Sequence, residues 1–190
     1  MVFKGGQSID NVNQLKAVIF DKTGTLTVGK PEVLEAAYAA DSLKETVDEV
    51  VKAAELGSTH PIASAILRFL DETPKIEMDN ISDVTGKGFE VIENGDTWKI
   101  GKRTYATENA VLPSDISRKT EALEVQGNTV IFVSRNDEVL AYYSLEDSLK
   151  PESRMAVERL NSMGIQTIMV SGDNQRTAEH IASLVGIKEV

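Results

Sequence analysis

The strongest constraint on the fold is a change of hydrophobic period partway along the chain. Ala17-Val18-Ile19-Phe20 is an apolar run closed by Asp21 and then Gly24, which reads as a short buried strand of a parallel sheet. Towards the other end, Pro151 to Met163 has helical spacing and is stopped by Gly164. Ile165 to Val170 follows as a second buried strand, and Asp173 to Val185 as a helix stopped by Gly186. A strand at one end and helix–strand–helix at the other is the grammar of a parallel α/β sheet.

The stretch between these ends follows a different rule. Thr46 to Leu56 and Ile62 to Leu70 carry apolar residues at helical spacing, with Gly57 as a stop and Pro61 at a first helical position. Phe89–Glu93 and Thr97–Ile100 then flank Asn94-Gly95-Asp96, a strong hairpin signal. Ser114 to Gln126 reads as a helix capped by Ser114. Thr129–Ser134 and Val139–Ser144 read as a second hairpin around Asn136-Asp137. The pattern predicts one domain inserted into another, with seams near Val28-Gly29-Lys30-Pro31 and Glu146-Asp147. Residues 1–28 and 147–190 then form the outer domain and 29–146 the insert.

Composition narrows the function classes. With 20 Lys and Arg against 30 Asp and Glu, the formal charge is −10. No basic patch stands out to neutralise phosphates, so a nucleic-acid partner is excluded. The 41% hydrophobic and 26% charged residues argue against wholesale disorder. There is no Cys, which removes disulfides, thiolate metal sites and a Cys nucleophile. Apolar runs are far shorter than the ~20 residues of a bilayer span, so this chain makes no membrane contact of its own. Met1–Gly6 holds no apolar stretch of signal-peptide length.

The chemistry concentrates at Asp21-Lys22-Thr23-Gly24-Thr25-Leu26-Thr27. A carboxylate at the C-terminal end of a parallel strand lies where α/β sheets place their active sites. Gly24 and the hydroxyls of Thr23, Thr25 and Thr27 suit a loop that turns backbone N–H groups towards a phosphate. The carboxylate can attack phosphorus and form an aspartyl phosphate.

This string resembles the signature of the P-type ATPases, and the whole chain resembles their heavy-metal-transporting branch. Thr59-His60-Pro61-Ile62-Ala63 is similar to that branch's His-Pro motif, with Glu55 ahead of it. Thr85-Gly86-Lys87-Gly88 is similar to its Gly-x-Gly motif, Asp147-Ser148-Leu149-Lys150-Pro151-Glu152 to the hinge that returns to the phosphorylation domain, and Ser171-Gly172-Asp173-Asn174 to the Thr-Gly-Asp-Asn motif. The resemblance implies a partial haloacid dehalogenase-like parallel sheet, the phosphorylation domain. It also implies an inserted α+β nucleotide-binding domain built on an antiparallel sheet.

The resemblance implies catalytic roles for Asp21, Lys22 and Thr23, and phosphate contacts from Thr25, Ser171, Gly172 and Asp173. Mg²⁺ is held at Asp21 and Thr23 with a further carboxylate. ATP binds at Glu55, His60, Gly86 and Gly88, where Glu55 accepts a hydrogen bond from the adenine amino group and the imidazole stacks on or bonds to the purine. Related phosphatases carry a second Asp two residues after the nucleophile as general acid and base. Thr23 stands there, so the phosphoenzyme is expected to persist. The motif that supplies the Mg²⁺ carboxylate, a phosphoryl-contacting Lys and the actuator loop do not occur in the sequence. The chain therefore reads as a fragment whose partners are the transmembrane and actuator domains of a parent transporter, facing the cytosol. The residues after His60-Pro61 and Lys102 after Gly101 tilt the metal towards zinc, cadmium, lead or cobalt rather than copper. Two other readings share these residues: a soluble haloacid dehalogenase-like phosphohydrolase, and a nucleotide-binding module without chemistry.

Overall fold

The computed structural model describes residues 15–70, 74 and 80–190. Met1–Gly6, read above against a signal peptide, lies outside them. In chain order the first elements are β1 (Ala17–Asp21), β2 (Glu32–Tyr38), α1 (Lys44–Glu55), α2 (Pro61–Leu70), β3 (Ile81–Val84), β4 (Gly88–Glu93) and β5 (Asp96–Gly101). There follow α3 (Arg103–Ala106), α4 (Ser114–Val125), β6 (Thr129–Arg135), β7 (Glu138–Glu146), α5 (Ser153–Ser162), β8 (Gln166–Val170) and α6 (Gln175–Val185). Two compact units result. One is built from the stretches ending at Val28 and beginning at Leu149, the other from Gly29–Ser148. The fold is mixed α/β, with a parallel sheet in the first unit and a separate antiparallel sheet in the second.

In the first unit β1 and β8 pair in parallel, Ala17 opposite Gln166 through Asp21 opposite Val170. Glu189 bridges to Ile168 on the other side of β8. Phe20 and Met169 point into a core with Leu26, Val157, Ala178, Ile181, Ala182, Val185 and Ile187, which closes α5 and α6 over one face. The sequence predicts both strands as buried, and here the structure differs. Ile19 is 65% exposed and Val170 54%. A parallel strand is buried on both faces only when helices cover both, and the two helices of this unit that follow the second seam cover one. The last helix also starts later than its apolar pattern suggests. Asn174 caps it by accepting from the Thr177 N–H at 3.0 Å, and Gly186 ends it in the left-handed region.

The second unit is a six-stranded antiparallel sheet in the order β2-β7-β6-β5-β4-β3. Alternate residues of β6 serve its two faces. Ile131 and Val133 join a core with α1 and α2, while Val130 and Phe132 join one with α3 and α4. Both hairpins form around residues of positive φ, Asn94 (54°) with Gly95 (88°), and Asn136 (52°). Ser114 begins α4 but makes no capping bond; Pro113 holds the cap position. The second unit includes Asp147 and Ser148, and the Gly29 N–H donates to Asp147 Oδ1 at 2.9 Å. No described helix is long and apolar enough to cross a membrane.

Candidate functional site

In the first unit the register sets the site. Asp21 ends β1 opposite Val170, the last residue of β8, so the loops 22–27 and 171–174 leave the same C-terminal edge of the sheet. Asp21, Thr23 and Thr25 are exposed on the first loop and Gly172 on the second. Gly24 takes φ +74° with open space where a side chain would stand, which lets the loop fold back on itself. Thr27 closes it. Its N–H and its hydroxyl both donate to the Lys22 carbonyl at 3.1 Å, and its Oγ1 accepts from the Gly24 N–H at 3.2 Å. Thr27 is fully buried. Of the three hydroxyls read as phosphate-facing, this one braces the loop and only Thr23 and Thr25 remain open.

Lys22 turns inward. Its ammonium forms an ion pair with Asp173 Oδ2, the two side chains 7% and 12% exposed. The Asp173 N–H donates to Ser171 Oγ at 3.1 Å, which shapes the second loop. The structure thus joins the two loops through a buried pair that sequence separation hides. Removing one member of such a pair leaves an uncompensated charge. Asp173→Ala is expected to lower stability in urea by about 2 kcal/mol, the usual loss for a broken buried pair discounted for residual exposure.

Sequence reasoning missed the residues that hold this loop from behind. Lys150 donates from Nζ to the Gly24 carbonyl and from its backbone N–H to the Leu26 carbonyl. Ser153 Oγ donates to the same Leu26 carbonyl at 2.7 Å, and Thr27 bridges to Leu149. Lys150 lay in the hinge-like string, but nothing in its spacing pointed to Gly24.

The remaining candidates lie in the second unit. His60 precedes α2 and is exposed. Its N–H donates to Ser58 Oγ, and its Nδ1 accepts from the Ile62 N–H at 3.2 Å. In the neutral ring this leaves the proton on Nε2, aimed away from the helix as a donor. Glu55 ends α1 and is 5% exposed, so it does not sit on a solvated face. Burial first, and the negative charge of Asp83 on β3 second, push its carboxyl up to about 7.

Gly86 and Gly88 have separate roles. Gly86 (φ +73°) has open space around the position a Cβ would take. At Gly88 (φ +143°) a Cβ would lie 2.0 Å from the Ile100 carbonyl oxygen and 2.7 Å from Gly101 Cα. Gly101, its partner across the ladder, would place a Cβ 2.2 Å from the Lys87 carbonyl oxygen. The two glycines let β4 and β5 pack backbone on backbone. Gly88 is therefore needed for the sheet, and Gly86 leaves its surface open to a ligand. The contact of Gly101 with Gly88 had no sequence signal, because it depends on hairpin register. Among the described residues no group of three or more His, Cys, Asp or Glu could hold a metal ion.

A family model for haloacid dehalogenase-like hydrolases matches residues 15–190. Over its whole length the chain is 35% identical to a probable copper-transporting ATPase of Arabidopsis thaliana, of which it spans 20%. It spans between 20% and 24% of the first four curated relatives it matches. The structure of a zinc-transporting PIB-type ATPase in the E2.Pi state is 33% identical with a TM-score of 0.59, the match covering 98% of this chain and 30% of that one. The catalytic domain of the CPx-ATPase CopB-B shares the fold at 24% identity and a TM-score of 0.71, over 98% of this chain and 64% of that one. The chain belongs to the haloacid dehalogenase-like hydrolase family, and it resembles within that family the catalytic regions of heavy-metal P-type ATPases.

Proposed function

We propose that this chain is the ATP-binding and phosphorylation region of a heavy-metal cation-transporting P-type ATPase, with Asp21 as the phosphoryl acceptor. The observation that carries the reading is the exposed Asp21 carboxylate at the C-terminal end of a parallel strand, followed by a closed Thr- and Gly-containing loop and by Thr23 where a second Asp would serve a phosphatase. The first unit acts as the phosphorylation domain and the second as the nucleotide-binding domain. The parent's membrane and actuator portions are the partners, with this region on the cytosolic side.

ATP binds to the second unit at Glu55, His60 and Gly86, and Gly88 keeps the adjoining strands close enough to form that surface. An Asp21 carboxylate oxygen attacks the γ-phosphorus, the bond to the β–γ bridging oxygen breaks, and ADP leaves. Thr23, Thr25, Ser171 and Gly172 stand on the loops that border the phosphoryl group. Lys22, held by Asp173, fixes the base of the loop. Asp21 and Thr23 fit Mg²⁺, which prefers hard oxygen donors and is commonly held through one or two carboxylates, substrate phosphates and water. Bound Mg²⁺ supplies neutralisation of phosphate charge. Thr23 cannot take a proton from water at neutral pH as a carboxylate does, so the acyl phosphate outlives one in a phosphatase.

The test is transfer of label from γ-labelled ATP to the intact parent. An acid-stable, hydroxylamine-labile label on Asp21 supports the reading. Rapid turnover of a generic aryl phosphate without a labelled intermediate points to the phosphohydrolase that the family match also accommodates. His60→Ala is expected to weaken ATP binding about tenfold by calorimetry, the scale of one lost hydrogen bond or stack. It also removes the bond to the Ile62 N–H, at a cost in stability of about 1 kcal/mol. His60→Asn restores the cap but not the affinity.

A further inference from the structure

Lys150 grips the acceptor loop at a point to which the phosphoryl-transfer reading gives no task. It lies just past the second seam, in the same compact unit as Asp21. Its Nζ donates to the Gly24 carbonyl, its backbone N–H donates to the Leu26 carbonyl at 2.9 Å, and Thr27 bridges to its neighbour Leu149. Elsewhere the loop is tied to itself. The Gly24 N–H goes to Thr27 Oγ1, and the Thr27 N–H goes to the Lys22 carbonyl. The Gly24–Thr25 peptide is thus held from outside the loop, through an ammonium.

That peptide is the one most able to turn over. Gly24 takes φ +74° and ψ −10° with open space where a side chain would stand, and glycine reaches alternative backbone wells at little cost. The Gly24–Thr25 bond is trans, so its C=O and N–H point in opposite directions. A carbonyl fixed on Lys150 therefore turns the Thr25 N–H away from Lys150. The turned-over peptide would present its oxygen, a partial negative charge, to that side instead. A charge-assisted bond to the oxygen also polarises the amide and strengthens its N–H as a donor. We propose that Lys150 is a positioning residue for phosphoryl transfer: it holds the Gly24–Thr25 peptide so that the N–H, and not the carbonyl oxygen, borders the phosphoryl group at Asp21. The assignment rests on the reading of Asp21 as the phosphoryl acceptor.

In the intact parent, Lys150→Met keeps the length of the stem and removes the donor. Label transfer from saturating γ-labelled ATP is expected to slow about tenfold. That is less than the loss when an oxyanion donor is deleted outright, because the peptide still samples the productive orientation. The ATP concentration for half-maximal labelling is expected to stay at its wild-type value, since ATP binds the second unit. Inhibition by orthovanadate, a mimic of the transferring phosphoryl group, is expected to weaken by the same factor as the rate. Lys150→Arg restores a charged donor and is expected to recover most of both. Lys150→Gln, an uncharged donor on a shorter stem, is expected to lie between the two, and serves alone if Lys150→Met fails to fold. Thr167→Ala is the stability control. It removes a bond from a buried hydroxyl to Asn161 Oδ1 towards the opposite edge of the sheet, and is expected to label at the wild-type rate. Wild-type labelling and vanadate sensitivity in Lys150→Met, or in Lys150→Gln where it stands alone, overturn the assignment. So does a change in half-saturating ATP with an unchanged limiting rate, or an equal loss in Thr167→Ala. Should the wild-type parent take no label on Asp21, the acceptor reading fails and takes this assignment with it. Label on wild-type Asp21 beside any of the other contrary results removes Lys150 alone.

Discussion

Gly88→Ala is expected to lower the stability of the second unit by about 4 kcal/mol, at the high end of single substitutions. The new Cβ would lie 2.0 Å from the Ile100 carbonyl oxygen and 2.9 Å from its carbon. Both are backbone atoms of the paired strand, so no side-chain rotation relieves the overlap. The φ of +143° is also a region that residues with a Cβ avoid. Gly86→Ala is the informative contrast. It meets no atom within 4 Å and carries only the strain of φ +73°, about 1 kcal/mol. In urea unfolding the two variants should separate clearly, although they sit two residues apart in one motif. If Gly86→Ala keeps its fold and loses ATP affinity, its open face is the ligand's. Equal unfolding midpoints for the two variants would refute the backbone-packing account of Gly88.

Asp21→Asn is expected to abolish label transfer from ATP in the intact parent while ATP binding by the second unit is unchanged. The amide is a very poor nucleophile towards phosphorus, and no other carboxylate of the first unit stands on the exposed loop that follows β1. The companion change, Thr23→Asp, restores a general acid and base where the sequence has a hydroxyl. It is expected to shorten the life of the acyl phosphate by about 10²-fold, the lower range for a positioned proton-transfer group. Continued ATP turnover and transport by Asp21→Asn would remove Asp21 from the reaction.

Features set by one or two residues were readable from the chain alone. Asn94-Gly95 and Asn136 announce hairpins because few other residues tolerate positive φ, and Asp21 with Gly24 announces a strand edge followed by a tight loop. The change from parallel α/β spacing to hairpins and back marked a parallel sheet and a separate antiparallel one. Features set by distant partners were not readable. Strand β2, Glu-Val-Leu-Glu-Ala-Ala-Tyr, is composed largely of helix formers and becomes a strand because β7, far along the chain, pairs with it. The run Ala17–Phe20 looked like a central strand because composition reports apolarity, not how many neighbours the sheet supplies. The Lys22–Asp173 pair, the Lys150 brace and the Gly88–Gly101 contact each need a fold before they exist. Asp48 is similar. It lies buried on α1, where the hydroxyls of Tyr38 and Tyr143 both donate to its Oδ1 at 2.7 Å, and nothing local marks it as a core residue.

The closure of the second unit also bears on how such a module can be inherited. Glu32 pairs with Glu146, and Gly29 reaches Asp147, so the entering and leaving ends of the chain stand side by side at one corner of its sheet. A segment whose two cut points coincide can be transplanted, duplicated or expressed alone as a cassette, because rejoining its host needs only a short splice rather than a rebuilt path.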